Sequence, residues 1–180
     1  TGLEQYSLER AGYFIRRKVL SPDAIRRLQT AGPPEDFARS VIAQVAVKSI
    51  VDDLFRESVI VSVTVREPCA TATAWGRDVE IDRFLPEEDQ IATLHQLPPA
   101  YRLTVAVERD EQLIVIPGSH ERIIVTDVDF CAEDHGPTRI RLEEGDLLVY
   151  SSALLRRDSP GGVAGRIVEA RIEPRPAPLL

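Results

Sequence analysis

Hydrophobic and polar positions along the chain follow two periods, and the change between them occurs near Ser58. Before Ser58, apolar residues recur at the spacing of an amphipathic helix. One short helix is predicted from Leu3 to Ala11, and a brief extended piece follows Gly12 at residues 13–15. A longer helix is predicted from four apolar residues at spacing four, Ile42, Ala46, Ile50 and Leu54.

A third helix is predicted to begin at the tripeptide Ser21-Pro22-Asp23. Serine supplies a capping hydroxyl, proline suits the first helical position, and an acid in the first turn complements the helix dipole. Ile25 and Leu28 give this helix one apolar edge before Gly32 ends it.

From Ser58 onward the period becomes two, which is typical of strands with one buried face. The valines at positions 59, 61, 63 and 65 face one way. Further strands are predicted at residues 103–108, 112–116, 122–128, 138–142, 147–151 and 166–173. Helices followed by about eight short strands predict an α+β fold, mainly β, with a barrel or jelly-roll core and the helices packed outside.

The length of 180 residues fits one domain. We expect a mainly helical part at 1–57, a β core at 58–173 and an extended tail at 174–180, where prolines prevent a central strand.

Composition narrows the function classes. The net charge of −7 disfavours nucleic-acid binding, and the chain lacks an apolar run long enough for a membrane span. Residues 1–10 lack the order of a signal peptide, and Cys69 and Cys131 form neither a disulfide framework nor a metal-type spacing. A cytoplasmic protein is therefore expected.

Three motifs follow one another along the chain. They are Gly12-Tyr13-Phe14-Ile15 with Val19-Leu20-Ser21, then Ile116-Pro117-Gly118-Ser119-His120, then residues 144–150. In the same order they resemble the opening motif, the PGSH motif and the GDL-type strand of the phytanoyl-CoA dioxygenase family of iron(II)/2-oxoglutarate enzymes. The resemblance implies a double-stranded β-helix, the jelly-roll or cupin-like core of these enzymes.

Two iron ligands of that family are missing from the matching segments. The family's His-x-Asp pair corresponds to Trp75-Gly76-Arg77-Asp78, so glycine stands at the first histidine and the carboxylate is kept. The second histidine corresponds to Arg156, and Arg166 has the spacing of the arginine that binds 2-oxoglutarate. Glycine offers no donor atom and arginine cannot ligate a metal, so these two departures from the family predict no metal and no cofactor. Iron and 2-oxoglutarate are expected only if the ligands are atypical.

The histidines at 95, 120 and 135 are the only replacements that the sequence offers. His95 is predicted in a loop that reaches the pocket, where it and Asp78 would form a relocated iron site if the protein were an oxygenase with atypical ligands. His120 is placed at the barrel mouth, and His135 in a polar turn.

Asp78 and Arg156 are expected to form an ion pair, because each would otherwise be a buried unpaired charge. We assign candidate catalytic roles to Asp78, Arg156, Tyr150 and His120, and candidate ligand-binding roles to Arg166, Trp75 and His95. The expected partner is a small organic molecule with a carboxylate or an enolate.

Three hypotheses stay open at this point. The first is a metal-independent enzyme or binder with redox-neutral chemistry, such as cyclisation, isomerisation or elimination, in specialised metabolism. The second is a non-catalytic partner subunit, within a homo- or hetero-oligomer. The third is a true iron(II)/2-oxoglutarate oxygenase with atypical ligands.

Overall fold

The structure, a computed structural model, describes residues 2–30, 33–56, 58–82, 84–123 and 136–175. The predicted strand at 122–128 falls largely outside these ranges, as does His135. Within them, five α-helices are present: α1 (Gly2–Ala11), α2 (Pro22–Gln29), α3 (Pro34–Ile42), α4 (Val45–Leu54) and α5 (Glu87–Gln96). No helix of the described ranges is long and apolar enough to cross a membrane.

The strands of the described residues form two antiparallel sheets that face each other. Their bounds are β1 (Tyr13–Arg16), β2 (Ser58–Arg66), β3 (Tyr101–Ala106), β4 (Leu113–Val115), β5 (Thr138–Arg139), β6 (Leu147–Ser151), β7 (Arg156–Asp158) and β8 (Ile167–Pro174). The larger sheet has the order β1-β6-β3-β8-β2, and the smaller has the order β5-β4-β7. This arrangement confirms the predicted jelly-roll core with helices outside.

Alternation along the strands of the larger sheet separates two apolar clusters. On the outer face, Leu103 and Val105 of β3 join Val168 of β8 and the buried faces of the helices. On the inner face, Ala106 and Leu148 pack against the smaller sheet. The remaining inner-face positions carry most of the polar side chains of the candidate site.

The predicted long helix around Ile42 is wrong, because two helices are present with a break at Gln44, whose backbone is extended. Ala46, expected on the buried edge, is exposed, and Val47 is buried instead. Spacing of five between Ile42 and Val47 does not fit one continuous helix, so the break lets both helices bury their apolar residues.

Candidate functional site

The segment at residues 73–78 runs antiparallel to β7 and places Asp78 beside Arg156. Gly76 and Arg156 exchange both backbone hydrogen bonds, each at 2.9 Å. The Asp78 amide donates to the Ser152 carbonyl at 2.9 Å. Because side chains alternate along a strand, Asp78 shares the face of Gly76, which lies beside Arg156.

The Asp78 carboxylate lies between two guanidinium groups. Its Oδ1 accepts from Nη2 of Arg156 at 2.6 Å, as expected, and its Oδ2 accepts from Nε of Arg102 at 2.9 Å. The three side chains are 14%, 22% and 24% exposed, respectively, so water reaches them only in part. We call Arg102, Asp78 and Arg156 the arginine–aspartate cluster.

Tyr150 forms one wall of this cluster. It lies directly opposite Arg102 in the β3–β6 pairing, and the Arg156 guanidinium lies over its ring, 5.6 Å from the ring centre. Burial, and next the negative charge of Glu169, raise the pKa of Tyr150 well above its ordinary value. The phenol therefore keeps its proton at neutral pH.

The side chains of the cluster do not fit a metal ion. They offer one carboxylate and two guanidinium groups, and a guanidinium has no lone pair with which to ligate. Both carboxylate oxygens already accept hydrogen bonds. Elsewhere in the described residues, no three His, Cys, Asp or Glu side chains are grouped so that they could hold a metal.

His120 is not part of the cluster, although the sequence suggested a place at the barrel mouth. Its Nε2 lies 3.1 Å from the Glu9 carbonyl, so the ring contacts helix α1. Gly12, at φ +80°, leaves room for the ring, since a Cβ atom there would be 2.6 Å from its Nδ1. His120 therefore joins the PGSH turn to the end of α1.

The stability of the protein is expected to fall in acid because of His120. Burial lowers the pKa of His120, and the negative charge of Glu121 offsets this only in part. The stabilising contribution of the neutral ring is fully present above the unfolded-state pKa of about 6.5 and is lost as pH falls through the lower folded-state pKa. Urea unfolding midpoints should therefore drop more between about pH 7.5 and pH 5 in the wild type than in His120→Gln. Equal drops in both proteins would show that other groups cause the effect.

Trp75 and Arg77 lie on the opposite face of the 73–78 segment from Asp78. The Arg157 guanidinium lies over the Trp75 ring, 4.7 Å from its centre. Arg77 donates to the carbonyls of Ser119, Ala153 and Arg122, and burial lowers the pKa of Arg77 to about 10. Trp75 therefore packs on an arginine outside the cluster.

Arg166 and His95 also make their contacts elsewhere. The Arg166 guanidinium pairs with Glu108 at 3.3 Å, and Arg166 precedes Ile167, which faces inward. The predicted loop at His95 is wrong: the residue lies near the end of α5, and its Nε2 is 3.3 Å from the Glu121 carbonyl. Three acidic residues in the first turn of α5 favour a helix there, although its apolar residues do not follow a clear helical period.

Arg102 is the site residue that the sequence analysis missed. The predicted strand began at Leu103, whereas β3 begins at Tyr101. The alternation of Arg102 and Thr104 with buried Leu103 and Val105 was the available signal, because it places Arg102 on the inner face.

No protein-family model and no curated protein matches the sequence. Solved structures match its fold. AviO1 from Streptomyces viridochromogenes Tue57 aligns over 98% of this chain and 97% of its own, with 17% identity and a TM-score of 0.68. HygX from Streptomyces hygroscopicus, with nickel, 2-oxoglutarate and hygromycin B bound, aligns over 97% and 87%, with 14% identity and a TM-score of 0.66.

The non-heme alpha-ketoglutarate-dependent epimerase SnoN from nogalamycin biosynthesis aligns over 99% of this chain and 86% of its own, with 14% identity and a TM-score of 0.61. These likenesses show that the chain has the cupin-like fold of the 2-oxoglutarate-dependent oxygenases, as the resemblance implied. At such identities they show the fold alone.

Proposed function

We propose that this protein binds a small organic anion at the arginine–aspartate cluster without a metal ion, and acts on it by redox-neutral chemistry. The proteins of similar fold support a substrate from specialised metabolism, since HygX binds hygromycin B and SnoN acts in nogalamycin biosynthesis. The anion is a carboxylate or an enolate.

The observation that carries this proposal is the charge surplus of the cluster. Two guanidinium groups share one carboxylate. Arg102 uses only its Nε, and its terminal nitrogens meet no acceptor among the described residues. The Nε of Arg156 is buried and has no hydrogen-bond partner there either. A buried donor without a partner is costly, and the terminal nitrogens of Arg102 offer further donors, so a bound carboxylate would stabilise the site.

The degenerate iron site is part of the same proposal. In it, Gly76 and Arg156 stand where phytanoyl-CoA dioxygenase-like enzymes carry their two iron-binding imidazoles. The mutual backbone hydrogen bonds of Gly76 and Arg156 support this, because they set the two positions side by side next to Asp78. A guanidinium would then occupy the space of the metal, which leaves oxygenase chemistry without its ligands.

The proposed chemistry depends on a change of hydrogen-bond partners among Arg102, Asp78 and Arg156. An incoming anion that takes the hydrogen bonds of Arg102 and Arg156 releases the oxygens of Asp78. The released carboxylate can accept a proton from the bound molecule as a general base. The protonated Asp78 can return that proton at another atom of the bound molecule, while Tyr150, held protonated by its burial, donates a hydrogen bond and the arginines stabilise the negative oxygen.

A non-catalytic binding module is the second candidate, because one observation favours it. Both oxygens of Asp78 are occupied, so the cluster closes on itself without a ligand. Cavities of about 240 to 940 Å³ formed by the described residues are lined by residues outside the cluster. Ligand binding without turnover would select this candidate.

Anion binding is tested by titrating the ¹⁵N-labelled protein with acetate, butyrate and 2-oxoglutarate. We expect the side-chain Nε–H resonances of Arg102 and Arg156 to shift with at least one of them. Arg102→Gln and Arg156→Gln should each weaken binding more than tenfold, about 1.4 kcal/mol. Arg157→Gln is the matched control, since its side chain contacts Trp75 on the other face, and it should bind normally.

Two results would contradict the proposal. If none of the three anions shifts the Nε–H resonances of Arg102 and Arg156, the cluster does not bind anions and the proposal is wrong. Succinate formation by the protein supplied with iron(II) and 2-oxoglutarate, at an ordinary enzymatic rate, would show that the site is an oxygenase after all.

A further inference from the structure

A second charged group lies beside the arginine–aspartate cluster on the inner face and has the opposite charge balance. Arg66 of β2 is 2.9 Å from Asp158 of β7 and 3.8 Å from Glu169 of β8. Two carboxylates here share one guanidinium, so this group carries a surplus negative charge. We call these three residues the acidic group.

The acidic group is displaced from the cluster by one inner-face position along the strands. On β7, Arg156 and Asp158 are two residues apart, which is about 7 Å in a strand. On β3, Arg102 and Thr104 have the same spacing, and Glu169 lies opposite Thr104. The inner face thus presents one row with two arginines and one row with two carboxylates, and their backbone positions are about 7 Å apart. Arg171, opposite Arg102, is neutralised by Glu173 at 2.6 Å.

Thr104 provides an independent sign that something binds in the negative row. The residue is 2% exposed, and its Oγ1 is buried with no hydrogen-bond partner among the described residues. Buried hydroxyls almost always have a partner, so an unpartnered one directly opposite Glu169 indicates a missing polar group. Ser62 and Thr64 of β2 are exposed, so solvent reaches the β2 edge of this face beside Glu169.

We infer that the site selects a small zwitterion whose carboxylate binds Arg102 and Arg156 and whose protonated amine binds Glu169 and Asp158, with Thr104 accepting a further hydrogen bond. This inference rests on the proposed function and names its substrate class. A separation of about 7 Å between the rows favours ω-amino acids with several carbons between the charges. It disfavours α-amino acids, in which one carbon separates them.

The experiment compares 4-aminobutyrate and 5-aminovalerate with butyrate and pentanoate, and with glycine, in NMR titrations. The amino acids of matching length should bind at least fivefold more tightly than the plain acids, and glycine more weakly. Glu169→Gln should remove this preference, while the affinity for butyrate stays the same or rises, because the negative charge of Glu169 acts on Arg156 and opposes the binding of an anion. Thr104→Val should reduce the preference in part, and Glu173→Gln, which alters the neighbouring ion pair, should keep it.

The outcomes separate the inference from the proposed function. If butyrate binds as tightly as 4-aminobutyrate, the inference is overturned and anion binding stands. If the preference survives in Glu169→Gln, the acidic group is not the amine site and the inference is likewise wrong. If none of the five compounds binds, the inference fails, and the proposed function fails with it when acetate and 2-oxoglutarate give no shift either. Circular dichroism of each variant confirms that the fold is retained.

Discussion

The variant that combines Gly76→His with Arg156→His will bind nickel(II) more than tenfold more tightly than either single variant, a difference of about 1.4 kcal/mol. The reason is that three ligands converge only in the double variant. Each single variant offers at most one imidazole with Asp78, and Gly76→His alone retains a guanidinium that repels the cation.

The contacts of the site favour this outcome. A Cβ atom at Gly76 meets nothing within 4 Å, so a side chain can begin there without displacing a neighbour. Removal of Arg156 frees Oδ1 of Asp78, while Arg102 continues to hold Oδ2. One carboxylate oxygen is thus available to the metal in a fixed orientation.

Calorimetric titration of the wild type, both single variants and the double variant measures the effect. The contribution of the two histidines should be non-additive, because neither completes the site alone. Affinity can remain modest, since no residue was selected to orient the new rings. Equal, negligible binding by all four folded proteins would show that positions 76 and 156 do not converge, and the proposed correspondence with the iron site would be dropped.

Gly145→Ala will lower the free energy of unfolding by about 3 kcal/mol or more. Gly145 has φ +85°, a region that alanine adopts only with strain. A Cβ atom there would overlap the carbonyl oxygen of Leu20. The backbone cannot withdraw easily, because the Gly145 amide donates to Ala106 at 2.8 Å and its carbonyl accepts from Leu20 at 3.1 Å.

The measurement is the urea midpoint of Gly145→Ala against that of Gly76→Ala. The second variant is the control, because a Cβ atom at Gly76 meets open space and its φ is not positive. Its midpoint should stay close to that of the wild type. Similar midpoints for Gly145→Ala and the wild type would contradict the predicted overlap.

The period of the apolar residues predicted most of the fold. Strand β3 buries Leu103 and Val105 on its outer face, as the alternation in the sequence predicted. The predicted common face of the valines at positions 59, 61, 63 and 65 is wrong, because a bulge after Ile60 shifts the register of β2 against β8 and leaves Val61 exposed. Strand β7 could not be found this way, since Arg156, Arg157 and Asp158 contain no apolar residue and the strand is defined by its partners. The organisation of residues 1–180 as one domain stays a prediction.

The site was predicted in part, for a similar reason. Asp78 and Arg156 followed from the resemblance together with the cost of burying an unpaired charge. Arg102 has no motif of its own, and its role depends on the register between β3 and β6, which local sequence does not encode. Tyr150 was named as a candidate, but its position under Arg156 required the three-dimensional structure. The catalytic roles of all these residues stay predictions.

The backbone hydrogen bonds between residues 73–78 and β7 couple the site to local unfolding. Thr73 donates to Asp158 at 3.0 Å, and Gly76 exchanges both bonds with Arg156, so every one of these bonds ends on a single three-residue strand. Detachment of that strand would expose the amides of Thr73 and Gly76 to solvent deuterium at once. A ligand that ties Arg156 to Arg102 would oppose the detachment. The amide of Gly76, which no ligand needs to touch, would then exchange more slowly whenever the site is filled.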